Sequence, residues 1–190
     1  ELDEVGEAVA VEVELQGDVV GGAVGVLVDR DEAVPERADA AEFDVRVTPL
    51  QMAMVAAGVA HDGAVMKPYL VQSVIGSDLS VIETTDPQEL SQAVTPDVAA
   101  QLTRMMEAVV TDGSGTRAQI DGVAVAGKSG TAQHGEGRKP HAWFISFAPA
   151  DDPQIAVAVI AEDGGTTGSE IGGGRVAAPI ARQMMEARLK

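Results

Sequence analysis

Residues 122–131 read Gly-Val-Ala-Val-Ala-Gly-Lys-Ser-Gly-Thr and hold the side chains best suited to chemistry in this chain. Residues 122–129 match the pattern G-x-x-x-x-G-K-[ST], in which backbone N–H groups and a lysine cradle phosphates. The same stretch contains Lys128-Ser129-Gly130, a triplet that enzymes with an acylated serine place on a strand beside the nucleophile. The two patterns require different surroundings, so the flanking residues decide between them.

A phosphate loop has to follow a buried strand and open a helix, whose N-terminus then holds the phosphates. Residues 117–121 are largely polar, and the alternation Val-Ala-Val-Ala inside the motif is typical of a strand. Glycines and Pro140 follow Ser129, which disfavours a helix there. Glu162-Asp163, after an apolar run, would resemble the metal-binding acid of nucleotide enzymes. The flanking residues nevertheless make nucleotide binding the third-ranked interpretation.

The triplet has a consistent explanation as part of an acyl-transfer site. The Lys128 ammonium would place positive charge beside a serine nucleophile and a substrate carboxylate, which the hydroxyls of Ser129 and Thr131 can also hydrogen-bond. Gly130 has no side chain, so an acyl donor can lie along the strand, and the backbone N–H of Thr131 would point at the developing oxyanion. We therefore predict Lys128 and the Thr131 N–H as catalytic, and Ser129, Gly130 and Thr131 as substrate-binding.

Two helix starts precede the triplet. Thr48-Pro49 and Thr95-Pro96 each combine an N-cap threonine with proline at the first helical position. We predict that the first helix ends before Gly63 and that residues 112–115 stop the second. Residues 72–92, between the helices, are predicted to be a surface excursion. The predicted apolar face of the second helix is Val98, Leu102, Met105, Met106 and Val109.

Strands are predicted at residues 123–128, 141–148 and 155–162, and the last two should form an antiparallel hairpin. A glycine-rich stretch, 164–174, then leads into a final helix. Its predicted apolar face is Val176, Ile180, Met184 and Ala187. Helices followed by an antiparallel sheet and a C-terminal covering helix make an α+β fold.

Residues 1–40 have an unusual composition. They use only nine residue types, and thirty-three of the forty are Glu, Asp, Val, Ala or Gly, whose codons all begin with G. The other seven can be read from codons beginning with C, a pattern expected when a GC-rich gene is translated out of frame. We hypothesise a frame-shifted reading, with a natural acidic segment as the alternative. Residues 10–15 and 24–28 are still compatible with strands, and we divide the chain into an acidic segment, 1–40, and a domain part, 41–190.

The composition of the chain excludes several partners. The formal net charge is −17, and residues 1–46 hold 14 acids and 3 bases, so 11 of these negative charges lie there. Phosphate binding needs basic clusters, so we expect no nucleic-acid partner. Cysteine is absent, and His134 and His141 fit no metal-binding spacing, so we expect no metal and no cofactor. No apolar run approaches the ~20 residues of a membrane helix, and no signal peptide is visible.

Three segments around the triplet resemble the closing strands of class B penicillin-binding proteins. They are Gly127-Lys-Ser-Gly-Thr-Ala-Gln133, His141-Ala-Trp-Phe-Ile-Ser-Phe-Ala-Pro149 and Ile155-Ala-Val-Ala-Val-Ile-Ala-Glu162. Residues 172–180 are similar to the start of the family's last helix, and residues 48–54 and 66–71 to the stretch upstream of the triplet. The resemblance is to the elongation- or division-associated type of high-GC Gram-positive bacteria and covers residues 41–190. It implies a partial penicillin-binding or β-lactamase-like transpeptidase fold.

The same resemblance implies acyl transfer from a D-Ala-D-Ala stem peptide, which cross-links peptidoglycan, with β-lactams as further ligands. The family's nucleophile lies in S-x-x-K, yet none of the eight serines has lysine three positions later, and Ser114-Gly-Thr-Arg117 comes nearest. The second family motif, S-x-N, is missing because the chain contains no asparagine. By family order both motifs would lie upstream of residue 41. We therefore expect a transpeptidase fragment that is inactive alone, with a non-enzymatic scaffold relative as the alternative.

Complete members of this family are expected on the extracytoplasmic face of the membrane, held by an anchor that is not visible in this chain. Part of the family sheet and its central helix would also be missing. We therefore expect exposed surface that promotes self-association.

Overall fold

A computed structural model of the protein describes residues 8–16, 19–20, 25–27, 47–134, 138–164 and 172–190. The strands are β1 Ala8–Gln16, β2 Val19–Val20, β3 Gly25–Leu27, β4 Ala64–Met66, β5 Ser73–Ile75, β6 Val81–Thr84, β7 Glu89–Gln92, β8 Ala126–Ala132, β9 His141–Ala148 and β10 Ile155–Ala161. The helices are α1 Pro49–Ala60, α2 Pro96–Thr111 and α3 Gly173–Leu189, with short 3-10 turns at Thr116–Ala118 and Glu162–Gly164. Within these residues, no helix is long and apolar enough to cross a membrane.

One antiparallel sheet organises the fold, with strand order β2-β1-β10-β9-β8 and with β3 also paired to β1. The pairing of β9 with β10 confirms the predicted hairpin. β1 pairs with β10 along its length, from Ala8↔Ala161 to Glu14↔Ile155, and both strands expected in residues 1–40 are present as β1 and β3. β8 ends the sheet on the other side, and its outer edge has no strand partner in the part of the chain that the structure describes.

Helices cover both faces of this sheet. β10 is buried along its whole length, as expected for an apolar strand that packs on both sides. Val157 and Val159 belong to the core cluster that contains α3, whereas Ala156 and Ala158 belong to the cluster that contains α1. Because neighbouring residues of a strand point to opposite faces, α3 and α1 lie on opposite sides of the sheet.

Capping explains where α1 begins. The Gln51 N–H donates to the Thr48 hydroxyl at 3.2 Å, and the Thr48 N–H donates to the Gln51 side-chain oxygen at 2.8 Å, which completes a capping box. α2 begins after Thr95, whose side chain makes no capping bond. Both predicted helix starts are confirmed, and so are the predicted ends before Gly63 and Asp112.

The structure corrects the boundaries of two strands. β8 begins at Ala126 instead of residue 123 and continues to Ala132, because it pairs with β9 as far as His141. The triplet therefore lies inside the strand and not at its end. β10 ends at Ala161, and Glu162 opens a 3-10 turn instead of closing the strand.

The predicted apolar faces of α2 and α3 were partly wrong. α2 buries Ala99, Met106 and Val110, whereas Val98 and Met105 are 40% and 58% exposed. α3 buries Val176 as predicted, but the other fully buried side chains are Ala177, Ala178, Ala181 and Met185, and Ala187 is exposed. In both helices the buried face is rotated relative to the predicted one and combines alanines with the larger side chains Met106, Val110 and Met185.

Residues 72–92 form a surface excursion, as predicted. β5 and β6 pair as a hairpin, β7 pairs with β4, and every residue of β5, β6 and β7 is exposed. The exposed side chains include Leu79 and Ile82, which are 83% and 69% accessible. This part of the chain contributes nothing to the described core.

Candidate functional site

The Lys128-Ser129-Gly130 triplet lies in the middle of β8, where it pairs with residues 143–145 of β9. Alternation along the strand puts Ser129 and Thr131 on the face toward α3 and Lys128 on the other face. The outer edge of β8 keeps its backbone groups free of strand partners among the described residues. The triplet therefore borders an open sheet edge, as the acyl-transfer interpretation requires.

This geometry contradicts the phosphate-loop interpretation. Residues 126–129 are paired strand residues and cannot wrap around a phosphate. Gly122 lies in a tight turn closed by the bridge between Ile120 and Val123, and the chain runs from β8 to His134 without a helix. The motif matches in letters but lacks the helix N-terminus that would hold the phosphates.

A pocket of about 380 Å³ opens between β8, the loop after α2 and the start of α3. Its lining residues are Ser114, Ser129, Thr131, Gly172, Gly173, Gly174 and Arg175. The lining combines three hydroxyl groups, a guanidinium group and the N-terminal turn of a 17-residue helix. Hydroxyl donors and a helix N-terminus both favour an anion, so the pocket suits a carboxylate.

Ser114 is a site residue that the sequence prediction missed. Its hydroxyl lies 2.6 Å from the Ser129 hydroxyl, which fixes the position of the second residue of the triplet. The Gly115 N–H donates to the Val109 carbonyl at 2.9 Å, so the loop folds back onto the end of α2. The sequence offered two signals at Ser114, the glycines around it, which we used to end the helix, and the incomplete match of residues 114–117 to S-x-x-K, which we did not use to place a side chain.

Two glycines let α3 begin against the sheet. A Cβ atom on Gly173 would lie 1.8 Å from the Trp143 carbonyl oxygen and 2.7 Å from that of Gly130. A Cβ atom on Gly174 would lie 1.7 Å from the Ser114 carbonyl oxygen. Because these neighbours are backbone atoms that cannot move aside, only glycine permits the approach. Gly173 and Gly174, the last two residues of the predicted glycine-rich stretch, therefore bring the helix N-terminus to the pocket.

The predicted site residues lie at the pocket, except for Lys128. Ser129 and Thr131 line the pocket, and the Gly130 carbonyl lies beside its Gly173 wall. Lys128 is exposed on the other face, and its ammonium donates to the Ser129 carbonyl oxygen at 2.5 Å. The described lining of the pocket does not include Lys128. The structure thus brings Ser129 and Thr131, which we predicted to bind substrate, to one pocket, whereas Lys128 lies on the opposite face of β8.

The fold and the pocket define a class of protein. The chain belongs to the penicillin-binding protein transpeptidase domain family, whose model matches residues 21–186. The match begins upstream of residue 41, where we drew a boundary from composition. The chain therefore has a partial α+β penicillin-binding transpeptidase fold, with an antiparallel sheet covered by the C-terminal helix.

Individual members of this family are similar to the chain in sequence and in structure. The chain is 51% identical over 152 residues to peptidoglycan D,D-transpeptidase PbpA of Mycolicibacterium smegmatis, covering 77% of this chain and 30% of the relative. It is 46% identical over 153 residues to PbpA of Mycobacterium tuberculosis, with the same coverage. A solved ceftriaxone acyl-enzyme complex of M. tuberculosis penicillin-binding protein A matches with a TM-score of 0.72 and 45% identity, covering 78% of this chain and 34% of that chain.

These comparisons confirm the resemblance to class B penicillin-binding proteins of the A-like type. The chain spans about 30% of the length of these curated relatives, so the match concerns one part of each of them.

Proposed function

We propose that this chain forms the substrate-binding edge of a peptidoglycan D,D-transpeptidase domain, and that its pocket holds the terminal carboxylate of the acyl donor. One observation carries the proposal: three hydroxyl groups and the N-terminus of α3 meet beside the open edge of β8. An extended peptide can add to such an edge through main-chain hydrogen bonds. Its carboxylate would then lie against the hydroxyls of Ser129 and Thr131.

The roles of the triplet follow from the same geometry. The Lys128 ammonium, on the face away from α3, would supply positive charge to a serine nucleophile brought up on that side. Gly130 would leave room for the donor backbone, and the Thr131 N–H would stabilise the oxyanion. β-Lactams, which carry a carboxylate beside a reactive carbonyl, would occupy the same edge; two of the similar solved structures are complexes with imipenem and penicillin G.

The nucleophile itself is not supplied by this chain. No S-x-x-K or S-x-N motif is present, and a nucleophile and its base act as a unit, so we expect no acyl-enzyme from the chain alone. We propose that residues 1–40 are a frame-shifted reading and that the domain part begins at residue 41. Resequencing the gene from several hundred bases upstream through the Phe43 codon tests this. Both motifs in a frame continuous with Phe43 would support it, and confirmation of the present frame would refute it.

The binding proposal is tested by two-dimensional NMR of the chain with a soluble stem-peptide analogue ending in D-Ala-D-Ala. We expect the amide signals of Ser114, Ser129 and Thr131 to shift, and a peptide with an amidated C-terminus to shift them much less. Ser129→Ala should weaken the effect, whereas Ser91→Ala, an exposed serine of β7, should leave it unchanged. Equal shifts with the amidated peptide, or none at all, would favour a non-enzymatic scaffold.

Fluorescent penicillin separates binding from catalysis. We expect no covalent label on this chain, and a label that survives denaturation would show that the chain contains a nucleophile after all.

Two further proposals concern the complete protein and the isolated chain. The complete protein would act on the extracytoplasmic face of the membrane, where peptidoglycan is assembled. The isolated chain would self-associate, because apolar side chains such as Leu79 and Ile82 are exposed. Sedimentation velocity over a range of concentrations measures this, and a monomer at all of them would contradict it.

A further inference from the structure

Two histidines and one aspartate form a second cluster of functional side chains, at the end of the sheet beyond the triplet. His134 follows β8, His141 opens β9, and Asp163 follows β10 in its 3-10 turn. These three strands are neighbours, and the register Ala132↔His141 and Ala142↔Ala161 brings their ends to one side. Asp163 is 22 residues after His141, so no motif spacing connected it with the two histidines.

The candidate ligand atoms of this cluster all lie within 4.8 Å of one another. His134 Nε2 is 2.7 Å from Asp163 Oδ1 and 2.9 Å from the Lys139 carbonyl oxygen. The Asp163 N–H donates to His141 Nδ1 at 3.1 Å. Zinc binds nitrogen and oxygen at ~2.0–2.2 Å, so two ligands of one ion lie roughly 3–3.5 Å apart. The cluster is therefore close to the dimensions of a metal site.

We propose that His134, His141 and Asp163 bind a divalent transition-metal ion of the zinc type. Two imidazoles and one carboxylate are a common ligand set for zinc. The same set is unsuited to Ca²⁺ or Mg²⁺, which take oxygen ligands. The Lys139 carbonyl oxygen, already beside His134 Nε2, or water completes four-coordination.

The hydrogen bonds and ring orientations of this cluster show what a bound ion would change. Two oxygen acceptors face His134 Nε2, so that nitrogen carries a proton, which the ion would replace. The rings of His134 and His141 are stacked, with centroids 3.5 Å apart and planes within 6° of parallel. A metal has to lie in the plane of each imidazole ring, so both rings must tilt when the ion enters.

The surroundings fit this exchange. His141 Nδ1 accepts a hydrogen bond from the Asp163 N–H at 3.1 Å, so this nitrogen carries a lone pair that faces the cluster. Arg138 lies 3.8 Å from Asp163 Oδ2 and is the cation that competes for the carboxylate. His134, at 21% side-chain exposure, and Asp163, at 51%, are both reachable from solvent.

An ion at this position would join two segments that adjoin residues of the candidate pocket in the sequence. Thr131 and Ala132, at the end of β8, come just before His134, and the 3-10 turn of Asp163 precedes the stretch that leads to Gly172. A bound ion would link His134, which follows β8, to Asp163 in the 3-10 turn that follows β10. The expected consequence is a higher unfolding temperature of the metal-bound protein, because an ion that binds only the folded state stabilises it.

The test uses the full chain freed of metal with a chelator. Zn²⁺ is titrated calorimetrically, and Co²⁺ is followed by its visible absorption, which reports tetrahedral nitrogen and oxygen ligands. We expect one ion per chain and a rise in unfolding temperature. His134→Ala and His141→Ala should each weaken Zn²⁺ binding by at least ~100-fold, since even outer-shell changes cost ~10–100-fold.

His61→Ala is the matched control, because His61 is the third histidine and lies in the turn after α1. It should bind Zn²⁺ as the parent chain does. Asp163→Asn keeps the side-chain shape and should lower the affinity while leaving the far-UV circular dichroism unchanged, which covers the case of a histidine variant that fails to fold. The proposal is overturned by an absence of saturable Zn²⁺ binding, by unchanged affinity in Asp163→Asn and the histidine variants, or by Mg²⁺ competing as well as Zn²⁺.

Discussion

Replacing Ser146 by alanine should stabilise this protein. Ser146 lies in β9, is fully buried, and its hydroxyl finds no hydrogen-bond partner in the described structure. It pairs with Val157 of β10 and Gly127 of β8, in an apolar part of the sheet. Burying an unpaired hydroxyl costs roughly 1–3 kcal/mol in proteins, and alanine removes that group.

The size of the gain follows from two opposing terms. Removing one oxygen leaves a void of ~15 Å³, which at ~24 cal/mol per Å³ costs about 0.4 kcal/mol. Relief of the unpaired hydroxyl exceeds this cost, so we expect a net gain of about 1 kcal/mol in the free energy of unfolding. For a chain of this length such a gain raises the unfolding temperature by roughly 2–4 °C.

Urea unfolding of the parent chain and of Ser146→Ala measures this difference, and the slope m should stay the same. Ser91→Ala, on the exposed strand β7, is the control and should change stability by less than ~0.5 kcal/mol. If Ser146→Ala unfolds at lower urea than the parent, the hydroxyl has a partner in solution and the reasoning is refuted.

Three further predictions concern single positions. Gly173→Ala should lower the free energy of unfolding by about 3 kcal/mol, at the upper end of overpacking, because the new Cβ would meet the Trp143 carbonyl oxygen. Gly122→Ala has open space around its Cβ and should lower the free energy of unfolding by only about 1 kcal/mol, through the strain of its positive φ. Urea unfolding compares the two variants, and equal losses would contradict this. Thr48→Ala should lower the free energy of unfolding by about 1 kcal/mol because it removes the capping box of α1. Thr95→Ala should lower it clearly less, because the Thr95 side chain makes no capping bond. Thermal unfolding compares the two variants, and the reverse order would refute the assignment. The Asp78 carboxylate accepts hydrogen bonds from the Ser80 hydroxyl and, with a smaller effect, from the Ser80 backbone N–H, and these bonds lower the pKa of Asp78 below its ordinary 3.8. The stabilising contribution of Asp78 is therefore present above pH 3.8 and is lost as the pH falls through the lowered pKa. In Ser80→Ala the pKa of Asp78, measured by NMR titration, should move back toward 3.8, and an unchanged midpoint would disprove the cause.

The sequence predicted those features that depend on local signals. Thr48-Pro49 and Thr95-Pro96 placed two helix starts, since capping involves only adjacent residues. Residues 141–148 were predicted as a strand with the observed bounds, because an apolar run there ends at proline. Lys128, Ser129 and Thr131 were found as candidates because the triplet is contiguous.

Features that depend on partners distant in sequence were missed or misplaced. The extent of β8 is set by its register with β9, which no local pattern encodes. Ser114 reaches Ser129 only because the loop after α2 folds against the sheet. Val98 and Met105 have helical spacing but remain exposed, since alanine and methionine at other positions of α2 pack on the core instead. The roles of the triplet residues stay predictions until ligand binding is measured.

The pairing of β1 with β10 has a consequence for how this chain folds. Ala8 lies opposite Ala161, so β1 is completed by a strand that is far from it in the sequence. During synthesis from the N-terminus, β1 emerges well before β10 and gains this neighbour only after all the intervening residues have been made, and contacts between such distant segments form slowly. Until then β1 presents an unpaired edge to other nascent chains. A product that stops before Ile155 never closes this edge, and chaperone binding or degradation would then determine its lifetime.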